Sequence, residues 1–391
     1  MSAVAVFHEE HAAHLREALQ AHDAGLPVFL GNPRWSAPDL AEAARQIPRG
    51  TIVRGLALEP RGLGTCDWPA NWRGRVMIPT GGTGGKVKFV IHSPDTLRAA
   101  ALGLRDALVA RGLSPTLHGV TCTPPWHVSG FMPAIRARVT GGQHAVIEGR
   151  FAPDAALPSP ALPADGTKII SLVPAQLTRL LAHGEGEGWL RAFDVILLGG
   201  SSVPAPLLAA LRARRLPVFL TYGSTETGGG VVYDSRALPG VNVRIVEGEI
   251  HVSSPTLFSR YLGDDVSPFV DGWFATGDMG ALVDGHLEVL GRASDMIISG
   301  GENIWPGRIE HVVRTIEGVT DACVIAQPDP EWGESAWLYL ETSREVSPEE
   351  VRDAIRSSLP TYYTPRRMTC VAHLPRLSNG KVDKVALTTL A

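Results

Sequence analysis

Cysteine is scarce in this sequence and never clustered. The four cysteines, Cys66, Cys122, Cys323 and Cys370, are scattered through 391 residues, with no CxxC pair and no histidine at zinc spacing. That pattern argues against a disulfide framework or a structural zinc and for isolated reduced thiols in a cytoplasmic protein. An excess of either charge is equally missing. Lys and Arg number 36 against 40 Asp and Glu, a net charge of −4, and no basic block occurs. Neither nucleic acid nor a membrane surface therefore has electrostatic support as a partner. No apolar run reaches the length of a transmembrane helix. The opening residues, MSAVAVFHEEHAAHLREALQ, lack the basic start and long apolar stretch of a signal peptide.

What is present is a globular composition, with 44% hydrophobic and 19% charged residues, enough to bury a sizeable core. The length exceeds what one core usually serves, so two domains are expected. Residues 1–70 read as a short helix, a strand (LPVFL) and loops. VMIPT and KFVIH read as strands flanking a glycine loop. A helix follows, with Ser93 as N-cap and Pro94 at its first position. Residues 193–222 form the clearest unit: FDVILLGG and LPVFLTYG are strands joined by a helical SSVPAPLLAALRARR. This βαβ crossover implies parallel strands with a ligand crevice at their C-terminal ends. Past residue 237 the texture changes to hairpins, and from Ser294 to a smaller α+β pattern whose helix at 348–358 has a capping box of Ser347 and Glu350.

Five segments carry chemistry. In Thr80-Gly81-Gly82-Thr83-Gly84-Gly85-Lys86-Val87-Lys88, glycines let backbone N–H groups converge on an anion while hydroxyls and lysines add donors and charge. A Walker A loop does not fit: its first glycine would fall at Thr80, Val87 stands where the metal-binding hydroxyl should be, and a strand rather than a helix follows. In Tyr222-Gly223-Ser224-Thr225-Glu226-Thr227, a carboxylate beside hydroxyls at a strand end suits Mg²⁺ carried on phosphates. Asp278, after the turn in GWFATGD, is a candidate for hydrogen bonds from both ribose hydroxyls. GRASDMIISGGENI, from Gly291, lies at the change of texture. Leu377-Ser378-Asn379-Gly380-Lys381 presents Lys381 on an Asn-Gly turn. Each segment alone also reads as an ordinary turn, polar loop or solvated lysine.

Together and in this order, over about residues 75–384, they resemble the adenylate-forming superfamily of acyl-CoA synthetases, luciferases and nonribosomal adenylation domains. The resemblance implies an α/β fold. A large N-terminal domain with mixed and parallel sheets, residues 1–293, would bind ATP and acid, and a small mobile α+β domain, residues 294–391, would act as a lid. Thr80, Gly81, Gly82, Thr83, Gly84 and Lys88 fall on the superfamily's phosphate loop, usually T-S-G-T-T-G-x-P-K-G. This chain has Gly81 for Ser, Gly84 for Thr, Val87 for Pro and Phe89 for Gly. Gly199, Gly200 and Ser201 match the segment against adenine, continued by Tyr222 and Gly223. Thr225 and Glu226 match the phosphate and Mg²⁺ contacts, Asp278 and Arg292 the ribose contacts, and Ser294 the hinge. Lys381 matches the lysine that binds carboxylate and α-phosphate during adenylation. Gly300 and Gly301 would line the channel for coenzyme A. The resemblance also implies a homodimer, and a shortened N-terminus, since only about 75 residues precede the loop.

A finer resemblance is carried by Pro124-Pro125-Trp126-His127-Val128-Ser129-Gly130. It is similar to the P-L-x-H-x-S-G segment of the o-succinylbenzoate–CoA ligases of menaquinone biosynthesis, and IPTGGTGGKVKFVIH is similar to the variant phosphate loop of their cyanobacterial branch. This puts His127, Ser129 and Gly223 at an aromatic acid. Other aryl- or acyl-CoA synthetases, a carrier-protein acid ligase and a degenerate nucleotide-binding protein are the alternatives.

Overall fold

The structure, a computed structural model, describes residues 2–62, 70–81, 87–148, 151, 156–201, 203, 205–376 and 382–389. By packing it forms two units. The first comprises Met1–Gly200, Leu216–Val243 and Val252–Phe274, and the second Ser201–Arg215, Arg244–His251 and Ala275–Ala391. Residues 275–293, assigned to the large domain by the boundary at 293/294, thus pack with the second unit.

The first unit holds two sheets. A six-stranded one runs Arg260–Tyr261, Val87–His92, Val76–Gly81, Val28–Leu30, Val4–Val6, Ile52–Arg54. Its inner strands are short and wholly apolar, VAV and VFL, as expected of parallel strands covered on both faces. On one face Val4, Val6, Val28, Leu30, Val76 and Ile78 share a core with helices His11–Asp23, Pro94–Val109 and Val128–Thr140. On the other, Phe29, Met77, Phe89 and Ile91 pack on Ala43 and Ile47 at the end of helix Ala37–Gln46. The first 54 residues therefore supply three strands and two helices, more than the helix, strand and loops read from sequence. Three-residue strands are too short to show periodicity.

The second sheet runs Arg236–Ala237, Gly229–Tyr233, Val218–Ser224, Val195–Leu198, Thr167–Leu172, Leu117–Thr121, His144–Val146. Val218, Phe219 and Leu220 pair in parallel with Ile196, Leu197 and Leu198, as the crossover pattern requires. Helix Val128–Thr140 also presses on this sheet. A Cβ on Gly119 would lie 2.5 Å from the Pro133 carbonyl, and Thr121 donates to the Gly130 carbonyl at 2.8 Å.

In the second unit a five-stranded sheet is built on the Val319–Asp329 and Gly333–Thr342 hairpin, with Arg367–Val371 parallel to the latter. Helices Pro306–Val313 and Pro348–Ser358 cover one face through Ile309, Val313, Val351 and Ile355. The capping box forms: Glu350 donates its backbone N–H to the Ser347 hydroxyl at 3.2 Å, and its carboxylate accepts from the Ser347 N–H at 3.1 Å.

Candidate active site

The glycine loop expected to hold phosphate joins two antiparallel strands, Val76–Gly81 and Val87–His92, with Thr80 opposite Lys88 and Gly81 opposite Val87. A strand, not a helix, leaves the loop, so the Walker A geometry is absent. Gly82, Thr83 and Gly84 lie outside the described residues, as does Lys381.

The Thr225–Glu226 turn follows the Val218–Ser224 strand and returns as Gly229–Tyr233. A register shift falls between Tyr222 and Gly223. Gly223 is exposed and must lack a side chain, because a Cβ there would sit 2.0 Å from the Gly229 carbonyl. The turn is pinned from both sides. His92, at the end of the Lys88 strand, is wholly buried, and its Nε2 lies 2.7 Å from the Thr225 carbonyl. A carbonyl cannot donate, so Nε2 carries the proton. Phe258 donates its N–H to the Glu226 carbonyl at 2.9 Å. Glu226 Oε1 accepts from the Tyr261 hydroxyl at 3.0 Å. Sequence reasoning assigned no role to His92, the last residue of the IPTGGTGGKVKFVIH segment, or to Tyr261, for both act across 35 residues or more.

Burial pulls the His92 imidazole down to about 4 from an ordinary 6.5, against the pull of its carbonyl partner. Burial likewise takes His14 to about 3 and His144 to about 4. A histidine whose folded pKa lies below its unfolded value contributes its full stability above pH 6.5 and loses it as the pH falls towards 4. We expect the melting temperature to drop across that window, with His92 alone accounting for on the order of 3 kcal/mol. Thermal melts from pH 7.5 to 4.5 check this, and His92→Asn should flatten the slope. An unchanged slope would refute the assignment.

Gly199 approaches the same strand closely. A Cβ there would meet the Thr221 hydroxyl at 2.2 Å, and Gly200 adopts φ +84°. Ser201 is exposed.

On the acid side, His127 is the N-cap residue of helix Val128–Thr140 and is half-buried, with Ser129 exposed in the first turn. Along one stripe of this helix, Val128, Met132 and Arg136 come within 3.7–4.0 Å of the position a Gly229 Cβ would take. Gly229 thus faces two apolar side chains and one guanidinium of this helix. Arg136 is 7% exposed, and its Nε is buried without a hydrogen-bond partner among the described residues. Nothing in the local sequence distinguishes it from its neighbour Arg138, which pairs with Asp23 on the surface.

In the second unit Asp278 stands opposite Arg292 in the hairpin of Trp273–Val283 and His286–Arg292. Their side chains form an ion pair at 2.9 Å, and the Arg292 guanidinium also donates to the Thr276 carbonyl. Thr276 in turn donates its hydroxyl to the Ile250 carbonyl at 2.8 Å, and Gly277 its N–H to Glu249 at 2.7 Å. The two expected ribose contacts are therefore neighbours on one braced hairpin. Ser294 is exposed, in a single 3₁₀ turn, Ala293–Asp295, and Asp295 pairs with Lys384 at 2.5 Å. Gly300 and Gly301 make the turn between Ile297–Ser299 and Glu302–Ile304, both with positive φ, and the Trp332 ring occupies the space of a Gly300 side chain.

A two-unit α/β chain with a glycine hairpin, a strand-end Thr-Glu turn and an Asp–Arg hairpin has the adenylate-forming fold. The chain belongs to the AMP-binding enzyme family, whose profile matches residues 2–262, with the profile of the family's C-terminal domain at 308–381. It is 31% identical over 334 residues to the 2-succinylbenzoate–CoA ligase of Listeria monocytogenes serotype 4b (strain F2365), covering 81% of this chain and 70% of that one. It is also 31% identical over 323 residues to the probable 2-succinylbenzoate–CoA ligase of Mycobacterium tuberculosis (strain H37Rv), covering 80% and 83%. Among solved structures, o-succinylbenzoate CoA synthetase (MenE) from Bacillus subtilis in complex with the acyl-adenylate intermediate OSB-AMP is similar at 26% identity and a TM-score of 0.77, over 99% of this chain and 88% of that one. ATP-bound MatB from Rhodopseudomonas palustris, 23% identical with a TM-score of 0.80 over 100% and 88%, shares the fold.

Proposed function

We propose that this chain joins o-succinylbenzoate to coenzyme A at the expense of ATP. The observation that carries this reading is the buried cation at Arg136. Its Nε is buried with no hydrogen-bond partner among the described residues, and an unsatisfied buried donor is costly. A guanidinium flanked by Val128 and Met132 beside Gly229 suits an aromatic acid with a second carboxylate, which would bring the missing partner with it.

In the first half-reaction a carboxylate oxygen of the acid attacks the α-phosphorus of ATP, and the bond to pyrophosphate breaks. Two anions must meet, so the barrier is largely electrostatic. Lys88 and the phosphate-loop donors would neutralise charge on the β- and γ-phosphates, and Lys381 on the carboxylate and α-phosphate. Glu226, beside the Thr225 hydroxyl, would hold Mg²⁺. One half-buried carboxylate next to a hydroxyl fits an ion whose other ligands are phosphate oxygens and water. The ion would supply charge neutralisation on the departing pyrophosphate. Asp278 and Arg292 would take the ribose. In the second half-reaction the CoA thiol attacks the acyl carbonyl, AMP leaves, and Gly300 and Gly301 would line the thiol's path. Rotation about Ser294 would exchange the two arrangements, and Lys381 would serve only the first.

A panel of acids offered with ATP and CoA tests the reading by AMP release: o-succinylbenzoate should exceed benzoate and simple aryl acids by at least about tenfold in kcat/KM, a modest share of what a buried charge pair provides. Activity on benzoates with none on o-succinylbenzoate would overturn it. Ser294→Pro should slow the thioester half-reaction more than adenylation. An unchanged ratio of the two rates would reject Ser294 as the pivot.

A further inference from the structure

The segment 258–261 grips Glu226 at both ends. Phe258 takes its carbonyl through a backbone hydrogen bond of 2.9 Å, and the Tyr261 hydroxyl takes its carboxylate at 3.0 Å. The Tyr261 ring is in turn fixed, packed edge-on against Phe258 with centroids 4.8 Å apart. Its backbone is fixed as well. Arg260 and Tyr261 form an edge strand on Val87–His92, with Tyr261 opposite Val90, flanked by hydrogen bonds from Ser259 to Ile91 and from Leu262 to Phe89, both 2.8 Å.

Lys88 lies two residues from Val90 on the same strand, and so on the same face and diagonal to Tyr261. Its ammonium stands 5.1 Å from the centre of the Tyr261 ring, within cation–π range. One phenol thus touches two groups that reach it from separate sheets. The cation lies over its ring, and the carboxylate receives its proton. A cation over the ring draws electron density from the phenolic oxygen and strengthens the O–H as a donor, so the two contacts reinforce each other.

We propose that Tyr261 is a positioning residue that couples the phosphate-loop lysine, Lys88, to the metal-binding carboxylate, Glu226. It would hold one Glu226 oxygen so that the other faces the nucleotide's metal, and keep the Lys88 ammonium over its ring, away from Glu226, free to meet phosphate. Without the phenol, the carboxylate and the ammonium become available to each other. The proposal rests on the reading of Glu226 and Lys88 as contacts to Mg²⁺ and phosphate.

Calorimetric titration of ATP into the full chain, once with MgCl₂ and once with EDTA, separates the two arms without turnover. Magnesium should tighten ATP binding to the unaltered protein. Tyr261→Phe keeps the ring and loses the hydroxyl. It should forfeit about three- to tenfold of the magnesium-dependent tightening, the net worth of one ordinary hydrogen bond, and leave the affinity in EDTA unchanged. Tyr261→Leu also removes the platform, and should weaken binding in EDTA by about two- to fivefold. Placed on Glu226→Gln, Tyr261→Phe should add nothing. A Tyr261→Phe protein with unaltered magnesium dependence, or an effect that persists on Glu226→Gln, overturns the proposal while leaving the role of Glu226 standing. Unaltered magnesium dependence in Glu226→Gln itself would overturn that role, and the proposal with it.

Discussion

Lys381→Ala is expected to lose acid-dependent ATP–pyrophosphate exchange by about 10²- to 10³-fold or more, the scale of deleting one group aimed at developing charge. The same protein should convert supplied o-succinylbenzoyl-adenylate and CoA to thioester at close to the normal rate. The asymmetry follows from charge. In adenylation a carboxylate must approach a polyphosphate, and a lysine, a compact cation on a long stem, lowers that cost. In thioester formation the phosphorus is no longer attacked, and the leaving AMP carries far less charge than ATP. The flanks of Lys381 are well secured. Val382 bridges to Arg376, the Asp383 N–H donates to the Pro375 carbonyl at 2.8 Å, and Arg376 and Lys384 pair with Asp321 and Asp295, each at 2.5 Å. Alanine at 381 should therefore leave the fold of this unit intact. Equal loss of both half-reactions would sink the assignment.

Arg136→Leu should separate one acid from another. With o-succinylbenzoate we expect kcat/KM to fall by about 10²- to 10³-fold, the cost of breaking a desolvated charge pair by removing one partner. With benzoate, which has no second carboxylate, any change should stay within a few fold. The ligand-free protein should hold its melting temperature or gain, since a buried guanidinium lacking a full set of partners gives way to an apolar side chain of comparable reach. That gain distinguishes a lost substrate contact from a damaged fold. Arg136→Lys should rescue poorly, because a lysine offers a point charge where the planar fork can bind a carboxylate through two parallel bonds. Parallel losses on both acids would show that Arg136 supports the helix and not the substrate.

The difference between Lys381 and Arg136 marks how far the sequence could be read. Lys381 follows an Asn-Gly pair at the end of an ordered series of motifs, so its order along the chain singled it out as a candidate. Arg136 sits in AIRARVTGG, where nothing local separates it from Arg138. Only the fold shows that one arginine faces Gly229 and the other meets Asp23. The crossover at 193–222 was legible because its strands are runs of buried Val, Ile, Leu and Phe bounded by glycine. The caps at Ser93 and Ser347 were legible because capping is a local pattern. The first sheet was not, because strands such as Val4–Val6 owe their pairing to neighbours up to 48 positions away. His92 and Tyr261 were missed for the same reason: a histidine ending an apolar strand and a tyrosine in a short edge strand take their roles from partners in other parts of the chain.

The Asp278–Arg292 hairpin has a consequence for energy transfer within the enzyme. Arg292 is at once the cross-strand partner of Asp278 and, two residues before Ser294, the last residue of the strand that leads into the proposed pivot. Ligand-free, the two groups expected at the ribose satisfy each other. A nucleotide that draws on either one must reorganise the residue next to the 3₁₀ turn, with no intervening chain of contacts. With Ser294 as the proposed pivot, reciprocity would fix the rest: whatever affinity the nucleotide gained from one setting, that setting would gain in population when the nucleotide is bound, and the exchange of ATP for AMP would act as a change in torque on a single peptide segment.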